Sequence, residues 1–300
     1  MTGVSFVVTV YNKAPFLPAV LGAIFAQEGD FARQVIVVDD GSTDASAAIL
    51  ERLAATHPEM TLIRQQNGGP AKATNVAVKH ATQPWLKIVD GDDILAPYAT
   101  RLLLEAANSL KARFALGRNV WYDVADLARG VAFPGSNASP PRRRDLLGEC
   151  LRNAPCNLTP TLIDRGLYWD VGGCDERIFT QDFSLLLRLA WRETPAATDA
   201  VVSASPAESA GRVSGNVGRM LSDVNRSIAY FVRETPGLSF GQRRLALERA
   251  FGRAWKWQHR KRGASWGSRW FWLYALAKLA PGLAAPHIES TVDAFAEPRA

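Results

Sequence analysis

Cysteine and histidine are scarce in this 300-residue chain, with three of the first and four of the second. Cys150, Cys156 and Cys174 are odd in number and lack C-x-x-C spacing. That argues against a disulfide framework or a zinc site, and for free thiols in a reducing compartment. His57, His80, His259 and His287 are scattered, so no histidine-led site such as H-E-x-x-H is visible. No uninterrupted apolar run reaches about 18 residues, which leaves no candidate for a membrane-spanning helix. Met1 leads at once into a strand-like run with no basic stretch before it, so no secretory leader is expected and a cytoplasmic location is. G-x-G-x-x-G is missing after the first apolar run, which speaks against a dinucleotide-dependent dehydrogenase. Internal repeats and low-complexity segments are lacking too.

An apolar share of 47% over this length can bury a large core. One catalytic domain with an extension fits that length better than two full domains. The charge is uneven. Residues 241–270 hold nine Lys or Arg against the single acid Glu248, a net of +8, while the whole chain carries +6. The basic character therefore belongs to the tail and says nothing about a catalytic domain.

Residues 4–10 and 35–38 read as buried strands, the second being four β-branched residues in a row. Shorter strands are expected at 61–64 and 85–89, with helices at 15–27, 45–55 and 72–80 between them. Alternating strands and helices imply a parallel sheet with right-handed crossovers. The second half is less regular. Helices are expected at 97–111 and 182–191, and strands at 114–122, 158–163 and 201–203. Pro160 puts the strand at 158–163 near a sheet edge. Three prolines and Arg142-Arg143-Arg144 mark 133–144 as a mobile surface loop. Helical patterns dominate after 206.

Polar motifs end three of these strands. Thr9-Val10-Tyr11-Asn12 follows the first, Asp39-Asp40-Gly41-Ser42 the second, and Asp90-Gly91-Asp92-Asp93 the one at 85–89. Ligand crevices of open α/β sheets form at such strand ends. A nucleoside-diphosphate sugar presents a flat base, a ribose diol and an anionic diphosphate. Thr9 and Tyr11 offer a hydroxyl and an aromatic face, and Asp39 can accept from a base N–H. Alternate residues of an extended segment point the same way, so Asp90 and Asp92 can share Mg²⁺ or Mn²⁺, which neutralises a diphosphate leaving group. Gly91 would let the diphosphate approach the backbone. The plain alternatives are that Tyr11 packs in the core, Asp39 caps a helix, and the acidic run caps the helix near Pro97.

This series resembles the family 2 glycosyltransferases of the GT-A fold: a Rossmann-like nucleotide-binding half over 1–95, an acceptor half over 96–205, and here a helical extension over 206–300. The resemblance implies an inverting, metal-dependent transfer from a UDP-sugar to a hydroxyl of a saccharide or lipid-linked saccharide. It implies a donor-binding set of Thr9, Tyr11, Asn12, Asp39, Asp40, Lys72, Asp90 and Gly173, with Asp92 and Asp90 on the metal and Asp93 in support. Gly172-Gly173-Cys174-Asp175-Glu176 and Thr180-Gln181-Asp182 resemble the family's G-G-[FY]-D-E and E-D segments, which implies that Asp182 is the general base; the plain alternative is a helix N-cap before Phe183. A second carboxylic acid is not needed, because the leaving group is a diphosphate.

Four departures stand out. Gln181 replaces a Glu, Cys174 an aromatic, and Thr74 an Arg for which Lys72 is either a looser substitute or a solvated charge. Residues 212–216 lack the late His of the family, leaving Ser214 or Asn216 to complete the shell. These departures keep open a non-catalytic nucleotide-sugar binding module, or another nucleotide-sugar enzyme. In the tail, five of nine tryptophans join the basic run. Either they lie on an anionic membrane surface, placing the protein peripherally on the inner face, or they pack on the catalytic domain. Nucleic acid is not expected as a partner, since no binding motif accompanies the charge.

Overall fold

The computed structural model describes residues 2–207 and 217–295. These residues divide into two units: 2–145, 157–176 and 189–207 in the first, and 146–156, 177–188 and 217–295 in the second.

The first unit is built on a mixed sheet. Its strands are β1 (Gly3–Val10), β2 (Ala32–Asp39), β3 (Met60–Arg64), β4 (Trp85–Asp90), β5 (Ile94–Leu95), β6 (Phe114–Tyr122), β7 (Arg142–Arg143), β8 (Thr161–Asp164) and β9 (Ala196–Pro206). Spatial order is β3-β2-β1-β4-β8-β6-β9-β5, with β7 beside β9. β1 to β4 run parallel, as the strand–helix alternation predicts. Their connections are α1 (Leu17–Phe25), α2 (Ser46–Thr56) and α3 (Pro70–Lys79). α1 forms because Leu17, Val20, Leu21 and Ile24 recur at helical spacing, and all four are buried. The strands are apolar on both faces because helices cover them: Val4, Phe6, Val8, Val35 and Val37 sit in the main core with α1. Full burial of each such side chain is worth about 1.5–3 kcal/mol. α4 (Ala99–Ser109) packs on β6 and β9, and α6 (Arg165–Asp170) follows β8.

Two expectations are corrected here. Residues 158–163 do not form an edge strand: β8 lies between β4 and β6, antiparallel to both. Pro160 stands just before it, where no ladder donor is needed, and its carbonyl accepts from the Gly117 N–H at 2.9 Å. The segment 133–144 is not a loop throughout. Its end pairs with β9, and Arg143 donates to Glu193 at 2.9 Å and to the Leu110 carbonyl at 2.8 Å.

The second unit is helical. It contains α5 (Leu146–Asn153), the start of α7 (Gln181–Arg192), α8 (Val217–Glu234), α9 (Phe240–Arg262), α10 (Arg269–Leu279), and the short α11 (Pro281–Ala284) and α12 (Ser290–Asp293). α5 packs on α9. Thr180 donates to Asp223 of α8 through both its N–H and its hydroxyl, and Arg177 forms a two-pronged pair with Glu234. α9 starts at a Ser239/Gln242 capping box and ends at Gly263 in the left-handed conformation.

Several tail aromatics pack on one another within this unit. Trp255 and Trp270 are buried with Phe295, and Trp255 meets Phe271 edge-on at 5.4 Å. Trp266, Trp272, Leu279 and Leu283 remain exposed. No helix among the described residues is long and apolar enough to cross a membrane.

Candidate functional site

The parallel register brings the strand-end residues side by side. Val10 pairs with Asp39 across β1–β2, and Thr9 pairs with Asp90 across β1–β4. Thr9, Asp39 and Asp90 thus line the C-terminal edge of three adjacent strands. Tyr11, next along the chain, is 48% exposed, so it is not a core residue and its ring is free to meet a planar ligand.

The loops after these strands are tied together. Asn12 has φ 53° and accepts from the Thr43 N–H at 2.8 Å, while its own N–H donates to Ser42 at 3.0 Å. Asp39 is 2% exposed; it accepts from the Ser42 N–H at 3.0 Å and lies 3.7 Å from Arg64. It caps a turn, then, and the first helix residues after it are served by Asp44 instead. Asp40 accepts from Gln65, from the Gly68 N–H and from the Gly69 N–H at 2.7–2.9 Å. With both oxygens engaged, it holds the loop leading into α3. Lys72 is exposed on the first turn of α3 with its chain over Gly68. Thr74, at the position where the family has Arg, turns back to the Pro70 carbonyl at 2.9 Å.

The acidic motif is crowded. Asp92 and Asp93 are buried, and Asp92 faces the Lys13 ammonium at 2.5 Å. The Tyr122 hydroxyl donates to the Asp92 carbonyl at 2.9 Å. Burial first, then the charges of Asp90 and Asp92, push the Asp93 carboxyl well above the usual carboxylate range, while hydrogen bonds to Thr159 and Ser205 act the other way. Beneath it, the fully buried Lys87 donates to the carbonyls of Thr159 and Thr161, and burial pushes its ammonium down to about 7. A Cβ at Gly91 would lie 3.0 Å from the Thr9 carbonyl and 3.2 Å from Lys13, so its bareness lets the ends of β1 and β4 approach each other.

Oxygen donors of this type suit a hard divalent cation. Among the described residues no group of three or more metal-binding side chains is assembled. Asp92 and Asp90 could therefore supply one or two ligands, with phosphate oxygens and water as the others, the usual way Mg²⁺ is held. The mutual repulsion in the motif, offset by Lys13, is what a cation would relieve.

Gly173 has φ +65°, and a Cβ there would meet the Asn75 Oδ1 at 2.8 Å and Tyr168 at 3.0 Å. Asn75 is a buried hub: it donates to the Cys174 carbonyl and to Glu176, and accepts from the Tyr168 hydroxyl and the Cys174 N–H. Gly173→Ala should cost about 1–3 kcal/mol in chemical denaturation from backbone strain, before any displacement of this hub. An unchanged midpoint would mean the turn is not constrained. Asp182 lies in the first turn of α7, in the second unit. Residues 212–216, including Ser214 and Asn216, lie outside the described residues.

Lys13, Lys87 and Asn75 were not singled out from sequence as site residues. A lysine inside the apolar run Trp85-Leu86-Lys87-Ile88-Val89 was the one available signal.

A family model described as glycosyl transferase family 2 matches residues 5–171. The succinoglycan biosynthesis protein ExoO of Rhizobium meliloti (strain 1021) is 35% identical over 137 residues, 42% of this chain and 38% of that one. Glycosyltransferase GlyG of Streptococcus pneumoniae serotype 4 is 31% identical over 124 residues, 41% of each. The matches thus span less than half the length of these relatives. Among solved structures, S. aureus TarS 1–349 in complex with UDP superposes with a TM-score of 0.64 at 17% identity, over 98% of this chain and 89% of that one. A mannosyltransferase, PcManGT from Pyrobaculum calidifontis, in complex with GDP-Man and Mn²⁺, gives 0.65 at 19% identity, over 97% and 85%. At this identity the likeness speaks to fold, and the fold is GT-A with C-terminal helices.

Proposed function

The chain belongs to glycosyl transferase family 2, and on that premise we propose that it moves a sugar from a nucleoside-diphosphate donor, a UDP-sugar by our reading, to a hydroxyl acceptor with inversion. The observation that carries this is the alignment of Thr9, Asp39 and Asp90 on adjacent parallel strand ends, with the buried acidic motif immediately behind.

In this reading Tyr11 stacks on the base, Thr9 and Asp39 recognise its polar edge, and Asp90 holds the ribose. Asn12 and Asp40 keep the surrounding loops in place, as their hydrogen bonds already do. Lys72 faces the phosphates as a flexible point charge. Gly173 fixes the turn that carries Cys174 against Asn75. Asp92, assisted by Asp90, would hold Mn²⁺ or Mg²⁺, which when bound neutralises charge on the departing diphosphate. Asp182 takes the proton of the acceptor hydroxyl as its oxygen bonds to the anomeric carbon; the bond from that carbon to the diphosphate oxygen breaks, and the diphosphate leaves with the electron pair.

The acceptor is a saccharide or lipid-linked saccharide of a surface polysaccharide, a reading supported by the succinoglycan relative. The exposed Trp266, Trp272 and Leu279 beside the basic stretch support peripheral membrane contact on the cytoplasmic side. The test is release of nucleoside diphosphate from a panel of UDP- and GDP-sugars with Mn²⁺ or Mg²⁺. Turnover of one donor class supports the proposal. Nucleotide binding without turnover of any donor would leave a binding module instead.

A further inference from the structure

The second unit contains a cavity of about 380 Å³. Every residue lining it belongs to that unit. Its charge is one-sided. Arg152 comes from α5, and Arg249, Arg253 and Lys256 share one face of α9 at i, i+4 and i+7. Glu248 is the one carboxylate in the lining, and it is turned towards Lys278, 3.7 Å away. Met220 and Val224 of α8 and Tyr274 of α10 supply an apolar wall.

Arg253 is the unusual member. Its Nε donates to Asn225 Oδ1 at 2.8 Å, and Asn225 is itself anchored on the Ala250 carbonyl at 2.9 Å. These bonds fix the guanidinium in place within the cavity wall. Yet its Nη2 is buried with no hydrogen-bond partner. A buried N–H without an acceptor is costly, and native proteins seldom keep one. Burial and the nearby charge of Arg249 hold this guanidinium down to about 10, which marks a cation short of counter-charge.

We propose that this cavity binds a phosphoryl group, with Arg253 as the buried donor and Arg249, Lys256 and Arg152 balancing the charge around it. Arg249, Arg253 and Lys256 on one face of α9 outnumber the one lining carboxylate, and the planar fork of Arg matches phosphate oxygens. The volume exceeds that of a bare phosphate and falls at the lower end of small-molecule sites, so a sugar or glycerol attached to the phosphate enters against Tyr274 and Met220. Resting on the transferase reading, the occupant is the phosphoryl group of the acceptor. Cys156 in the cavity wall is near enough to both Asp182 and Arg253 for its thiol to feel each charge, so the cavity and the proposed base share a neighbour.

The test is calorimetric titration of the full chain with glycerol 3-phosphate and with inorganic phosphate, beside co-sedimentation with phosphatidylglycerol and phosphatidylcholine vesicles. Saturable binding of glycerol 3-phosphate or of phosphatidylglycerol is expected, weakened roughly 10-fold or more by Arg253→Gln and by Arg249→Gln. The arm that binds identifies a soluble or a lipid source. Arg249 is exposed, so its variant keeps the test usable if Arg253→Gln does not fold. Binding in neither arm, or binding equal in the variants, overturns the proposal. Donor turnover with no phosphate binding would sink this inference alone. Phosphate binding with no donor turnover would sink the transferase reading and leave the site standing.

Discussion

Asp182→Asn is expected to lower sugar transfer about 10²–10⁴-fold while nucleotide affinity and melting temperature change little. Asn keeps the size and the hydrogen-bonding reach of Asp but cannot take a proton. The leaving diphosphate needs no acid, so the whole acid–base requirement of the reaction falls on one carboxylate. A different role would read differently. If Asp182 served only as an acidic residue at the start of α7, its loss would cost about 0.3–1 kcal/mol of helix stability and leave turnover intact. Initial rates at saturating donor, together with a melting curve, separate the two. A stable variant with wild-type rate would remove Asp182 from the mechanism.

Asp92→Asn is expected to cut donor turnover about 10²–10³-fold and to abolish its dependence on Mn²⁺. Asp92 is buried beside Asp93, and its carboxylate is opposed by Lys13 at 2.5 Å. Removing its charge relieves repulsion within the motif and strands Lys13, which is partly exposed and can turn to water. The two effects on folding oppose each other, so the loss should appear in activity and metal titration rather than in stability. Full Mn²⁺-dependent activity in this variant would mean that the cation, if used, is held elsewhere.

Much of the sheet is legible in the sequence because β1, β2 and β4 are mostly apolar runs that stop at polar residues. Period and punctuation alone place Thr9, Asp39 and Asp90 at strand ends, and parallel pairing then makes them neighbours. What supports the site is not legible, because it depends on distant partners. Lys13 and Asp92 are 79 positions apart, and Asn75 reaches Cys174 over 99. A lysine in a turn and an asparagine in a helix carry no signal until the chain has folded. Pro160 misled in the same way: a proline next to an apolar run suggests an edge, but just outside the strand it costs no hydrogen bond and permits a central position. The tail shows the limit of composition. Arginines among tryptophans describe a helix on a membrane as well as a helical pair whose aromatics, such as Trp255 and Phe271, bury one another.

The central claim is that the acidic strand ends form a metal-assisted nucleoside-diphosphate site. It is tested most directly by melting the protein with UDP, GDP, dTDP and CDP, each with and without Mn²⁺. A ligand at 100 times its dissociation constant adds about 2.7 kcal/mol to the folded state, enough to move the transition visibly. The account predicts that UDP with Mn²⁺ raises the melting temperature by several degrees, that UDP alone does much less, and that Asp92→Asn loses the difference. A transition that stays in place with every nucleotide, with and without metal, would contradict it.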